Sequence, residues 1–133
     1  MLTIESKKVE VNQSPKAVFD FLADLNNLEK LMHEDRVDNW RSTAETCRFT
    51  IKNLSTIGMK HKSLESPNKI VLESDGKNPF PFTLTVLVSD NGDKAASNFV
   101  FEGDVNMFMS TMVKSPLKKF FDQLAEGLDA AMA

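Results

Sequence analysis

The chain has 133 residues, 41% of them hydrophobic and 26% charged, an ordinary globular composition with enough apolar mass for a core. Its 16 basic and 19 acidic residues leave a net charge of −3, which excludes the basic excess of a nucleic-acid-binding surface. Cys47 is the only cysteine, so no intrachain disulfide can form, and no apolar run approaches the roughly 18 residues of a membrane span.

The N-terminal stretch MLTIESKKVEV lacks the continuous apolar segment of a signal peptide, so the expected location is the cytoplasm. No repeat or Pro/Gly/Ser-rich linker interrupts the chain, and the expectation is one domain over residues 1–133. Thr3 to Asn12 reads as a strand in which Leu2 and Ile4 have one parity and Val9 and Val11 the other. A bulge or twist between them reconciles the two. Ser14-Pro15 is an N-cap followed by proline at the first helical position, and Val18, Phe19, Phe21, Leu22 and Leu25 form the apolar face of a helix. Asn26-Asn27 interrupts that face, and Leu28, Leu31 and Met32 mark a second short helix.

From Val37 the pattern changes to period two. Arg36 to Arg41 is a strand containing Trp40. Cys47, Phe49 and Ile51 alternate with Arg48, Thr50 and Lys52, the pattern of a half-buried strand. Ile57, Met59, His61 and Ser63 alternate with Gly58, Lys60 and Lys62. After the turn Ser66-Pro67-Asn68 comes a short strand from Ile70 to Ser74. A longer turn, Asp75 to Pro79, leads to Phe80, Phe82, Leu84, Val86 and Val88, alternating with polar residues. Asp90-Asn91-Gly92-Asp93 is a hairpin signal, and the last strand sets Phe99 and Phe101 against Asn98, Val100 and Glu102.

The segment from Val105 to Ala133 reads as one long amphipathic helix. Its first turns carry Met107, Phe108, Met109 and Met112, Pro116 bends its middle, and Phe120, Phe121, Leu124 and Leu128 form a regular stripe. Lys114, Lys118 and Lys119 read as its solvated face. The methionines fit two descriptions, fillers of an irregular core or one wall of an adaptable apolar pocket. Short turns between consecutive strands imply an antiparallel meander with one buried face. Only the long helix can cover that face.

Two segments carry a family resemblance. VEVNQSPKAVFDFLADLNNLEKLM resembles the opening of the START-like, or SRPBCC, superfamily, and DVNMFMSTMVKSPLKKFFDQLAEGL resembles its closing helix. The superfamily includes pollen-allergen-like proteins, lipid-transfer domains, polyketide cyclases and coenzyme Q-binding proteins. The resemblance implies an α+β helix-grip fold. In it a strongly curved antiparallel sheet of about seven strands, with two short helices after the first, grips the C-terminal helix around an internal apolar cavity. Strand parity then points Cys47, Phe49, Ile57, Met59, His61, Phe82, Leu84, Val86, Phe99 and Phe101 toward that cavity. Met107, Phe108 and Met112 become its helical wall, and Leu31, Met32 and Trp40 stand near its mouth.

Three functions follow as expectations. The first is binding of a small hydrophobic ligand, such as a lipid, sterol, quinone or polyketide, by a monomer or weak dimer. The second is a cyclase- or isomerase-like enzyme with His61 as general acid or base. The third is a protein-interaction module of the chaperone-activator type, in which surface matters more than cavity. Cys47 lies amid apolar alternation without a base partner and reads as an inert thiol. His33 and His61 have no metal-motif spacing, and no phosphate loop, HExxH or nucleophile elbow occurs. Neither a metal nor a cofactor is expected. The chain has no tyrosine, which removes a Tyr-based acid or oxyanion donor.

Overall fold

The computed structural model describes residues 1–32 and 35–132. Its elements run β1 (Leu2–Glu5), β2 (Val9–Val11), α1 (Pro15–Ala23), a 3-10 helix (Leu25–Leu31), β3 (Val37–Ser42), β4 (Thr46–Ile51), β5 (Ser55–Glu65), β6 (Lys69–Ser74), β7 (Phe82–Asn91), β8 (Lys94–Gly103) and α2 (Met107–Ala131). All eight strands join one antiparallel sheet in the order β1-β8-β7-β6-β5-β4-β3, with β2 also on β8. The fold is the α+β helix grip that the family resemblance implies.

The N-terminal strand is divided as its parity requires. Glu5 pairs with Val100 but Val9 pairs with Ser97, so the N-terminal strand carries one extra residue. Leu2, Ile4 and Val11 are all buried as a result. Ser6 fills the break, with its N–H donating to the Phe99 carbonyl at 2.8 Å and its Oγ accepting from the Phe99 N–H at 2.9 Å. Ser14 caps α1 by accepting from the Ala17 N–H. The helix break comes at Asp24, two residues before the asparagines. Asp24 accepts from the Asn26 N–H and so starts the 3-10 helix, while the Asn27 amide reaches back to the Phe21 carbonyl at 2.9 Å. The asparagines thus serve the junction from inside the second helix.

Sheet curvature follows from three aromatic contacts. Phe49 on β4 and Phe101 on β8 have three strands between them, which in a flat sheet would set them roughly 19 Å apart. Yet Phe49 meets Phe120 at 6.1 Å between ring centroids, Phe101 meets Phe121 at 5.3 Å, and Phe120 and Phe121 are themselves 5.3 Å apart. Two strands that far apart in the sheet thus pack on neighbouring residues of α2, as in a sheet that curls around the helix. Register shifts assist this in β3, near Asn39 at φ 55°, and in β5 between His61 and Ser63.

The helix α2 is capped by Asn106, which accepts from the Met109 N–H. Its buried stripe is Val113, Leu117, Phe120, Phe121, Leu124, Ala125 and Leu128, so six of the seven positions lie after Pro116. Gly127 lets this half approach the 3-10 helix, since a Cβ there would lie 2.2 Å from the Leu31 carbonyl oxygen.

The expected helical pocket wall requires correction. Met107, Phe108 and Met112 are 87%, 75% and 61% exposed. With Val113 buried at that level of α2, these side chains project away from the core. Apolar residues around nearly the whole helix imply cover on every side, whereas only one narrow side of these turns meets the core.

Candidate ligand-binding site

The interior between sheet and α2 is nearly filled. A void of about 20 Å³ remains, roughly the space of one water molecule. From the sheet come Phe49, Ile51, Ile57, Met59, Phe82, Leu84 and Phe101, from α2 Leu117, Phe120, Phe121 and Leu124, and from the end of the 3-10 helix Met32. Every lining residue is apolar. No buried side-chain nitrogen or oxygen lacks a hydrogen-bond partner among the described residues, so the interior holds no spare polar group to orient a guest.

One side of this void connects to the surface through aromatic packing. Trp40 stacks on Phe49 with centroids 5.1 Å apart, and Phe49 stacks in turn on Phe120. Trp40 also faces a surface cleft of about 600 Å³ with Met32, Val37 and Lys30. Met32 belongs to both cleft and void. The Trp40 indole N–H donates to Ser42 Oγ at 2.9 Å, and that hydroxyl donates to Asn26 Oδ1, which fixes the ring at the junction of β3 and the 3-10 helix. The cleft and the void are thus separated by one flexible thioether and one anchored indole.

The residues expected at the cavity separate into four groups. Phe49, Met59, Phe82, Leu84 and Phe101 line the void. Trp40 stands at the outer cleft. Cys47 and Phe99 are buried but do not border the void, and Met107, Phe108 and Met112 are exposed. Ile51, Ile57 and Met32 also line the void, and the second half of α2 supplies Leu117, Phe120, Phe121 and Leu124, although its stripe reads in sequence as grip alone. The period-3.6 stripe was the available signal, because a helix that grips a curved sheet necessarily faces whatever space the sheet encloses. Leu117, next to Pro116, was missed outright.

His61 is half-buried and does not border the void. Its Nε2–H donates to the Ala23 carbonyl at 2.7 Å, which satisfies a carbonyl at the end of α1. Beyond the register shift, Ser63 and Glu65 lie on the exposed surface. His33 lies outside the described residues. Burial pushes the Cys47 thiol up to about 12, which leaves it protonated and unreactive at neutral pH. Among the described residues, no group of three or more His, Cys, Asp or Glu is placed to hold a metal ion, and no helix is long and apolar enough to cross a membrane.

No family model and no curated protein sequence matches the chain. Solved structures do. A START superfamily protein from Mycobacterium smegmatis superimposes with a TM-score of 0.71 at 12% identity, covering 98% of this chain and 96% of that one. The protein TTHA0849 from Thermus thermophilus gives 0.75 at 12% identity, covering 98% and 96%. XoxI from Bacillus cereus gives 0.74 at 12% identity, covering 99% and 96%. At such identity the shared property is architecture. The chain has the START-like helix-grip fold over nearly its whole length.

Proposed function

We propose that the protein binds a small hydrophobic molecule, of the lipid, sterol, quinone or polyketide kind, in the seam between the curved sheet and the second half of α2. The observation that carries this reading is the wholly apolar void at the foot of the Trp40–Phe49–Phe120 stack, separated from a surface cleft by Met32. Burial of apolar surface would supply the affinity, with shape setting selectivity. A ligand must widen the seam. Met32 and Met59 can adopt new rotamers at low cost, and the first half of α2, where only Val113 is fully buried, can move with little loss of core contact. Cytoplasmic action as one domain belongs to the same proposal and is supported by the lone, buried cysteine and by one core cluster among the described residues.

A melting-temperature screen with fatty acids, sterols and quinones tests this reading. A binder raises Tm, and Leu84→Phe, which fills the void, abolishes the rise while the variant still melts cooperatively. A screen with no hit, or hits indifferent to Leu84→Phe, would overturn it. A second reading, a protein-interaction module, is favoured by the filled interior together with exposed Met107, Phe108 and Met112.

A further inference from the structure

The strand β1 is the outer strand of the sheet, and α2 lies beside it. In an antiparallel pair, alternate residues turn their N–H and C=O toward the partner and away from it. Ser6 donates its N–H to Phe99 on β8, and Lys7, of the opposite parity, donates its N–H to Asp122 Oδ1 on α2 at 2.7 Å. Thr3 and Glu5 share the parity of Lys7. Their backbone groups therefore turn away from β8, and no hydrogen bond joins them to a loop, a helix or a side chain among the described residues.

These groups face a groove of about 650 Å³. One wall is Thr3, Ile4 and Glu5, and the other is α2 from Met107 to Lys118, chiefly Met107, Thr111, Lys114 and Lys118. The helix meets the N-terminal segment at Asp122 and leaves the groove beside its earlier turns. Residues 107–121 contain three lysines and no acidic residue, although the chain as a whole carries a charge of −3. Lys118 pairs with Asp122, while Lys114 has no acidic partner among the described residues.

We infer that this groove docks an extended, acidic segment of a partner protein, which adds as a strand to β1. The Thr3 and Glu5 backbone groups supply main-chain hydrogen bonds, exposed Met107 receives an apolar side chain, and Lys114, which has no acidic partner among the described residues, selects for acidic residues. A second copy of this chain fits poorly, because a self-complementary contact would bring the lysines of residues 107–121 against the same lysines. This inference rests on the interaction reading and is independent of the seam between sheet and helix.

The probe is a capped seven-residue peptide of alternating valine and glutamate, titrated into the whole chain and followed by amide NMR. The Thr3 and Glu5 amide signals should shift and their hydrogen exchange should slow. Lys114→Glu should weaken binding about tenfold without changing Tm. A peptide N-methylated at alternate amides should not bind. The proposal is overturned if millimolar peptide leaves these amides unmoved or if the N-methylated peptide binds equally well. It also fails if only anionic lipid vesicles move the signals, or if the chain dimerises through β1. A hydrophobic ligand in the seam would instead perturb Met59 and spare the β1 amides, so failure of either reading is seen separately.

Discussion

The two halves of α2 are built from similar residues and meet opposite fates. From Met107 to Pro116 the helix carries three methionines and a phenylalanine, yet only Val113 is buried. From Leu117 to Ala131 the apolar residues fall on one stripe, and Leu117, Phe120, Phe121, Leu124, Ala125 and Leu128 are buried against a sheet curled around them. Spacing, rather than apolar content, separates a side chain that holds the fold from one that meets solvent. Pro116 stands at the boundary, where its missing N–H leaves the Met112 carbonyl without a helical partner.

The largest test of this contrast pairs two phenylalanine truncations. Phe121→Ala should destabilise the protein by about 3–5 kcal/mol, because it removes a ring packed on Phe101 and Phe120. Phe108→Ala should change stability by no more than about 0.5 kcal/mol. Urea denaturation measures both, and comparable losses would end the distinction. Next in size is Gly127→Ala. Alanine favours helix by about 1 kcal/mol, but the added methyl would clash with the rigid Leu31 carbonyl, so a net loss of about 1–3 kcal/mol is expected. A stabilised variant would show that the second half of α2 is not closely seated on the 3-10 helix.

A smaller effect comes from the tether between the N-terminal segment and α2. Burial opposes ionisation of Asp122, but the Lys7 N–H and the Lys118 ammonium outweigh it and hold the carboxyl below its ordinary value of 3.8. A depressed carboxyl stabilises the fold above its unfolded value, and that contribution is lost as pH falls through the folded one. Asp122→Asn should therefore cost about 1 kcal/mol at pH 7, and the gap to the parent should narrow below pH 3.8. An equal gap at pH 7 and pH 2.5, measured by denaturation, would show that the charge of Asp122 does not strengthen the tether between Lys7 and the helix.

Much of the fold was legible because local signals agreed. Ser14-Pro15, the alternation of Cys47, Phe49 and Ile51, and the hairpin at Gly92 each specify one conformation with its own residues. The bulge in the N-terminal strand was legible too, from the changed parity of Leu2 and Val9. The site was less so. Which side of Met107–Met112 meets the sheet depends on where α2 crosses, and that is a tertiary fact absent from the periodicity of an almost wholly apolar turn. His61 shows the same limit. Its parity was right as far as the register shift, but the carbonyl of Ala23 that engages it comes from 38 residues earlier in the chain.

The most direct test uses the seven methionines as reporters. In ¹³C-methyl-labelled protein titrated with a hydrophobic compound that raises Tm, the Met59 and Met32 signals should shift, because both line the seam, while Met107 and Met112 stay in place. Shifts at Met107 and Met112 with Met59 and Met32 unmoved would contradict binding between sheet and helix and place the compound on the outer face of α2.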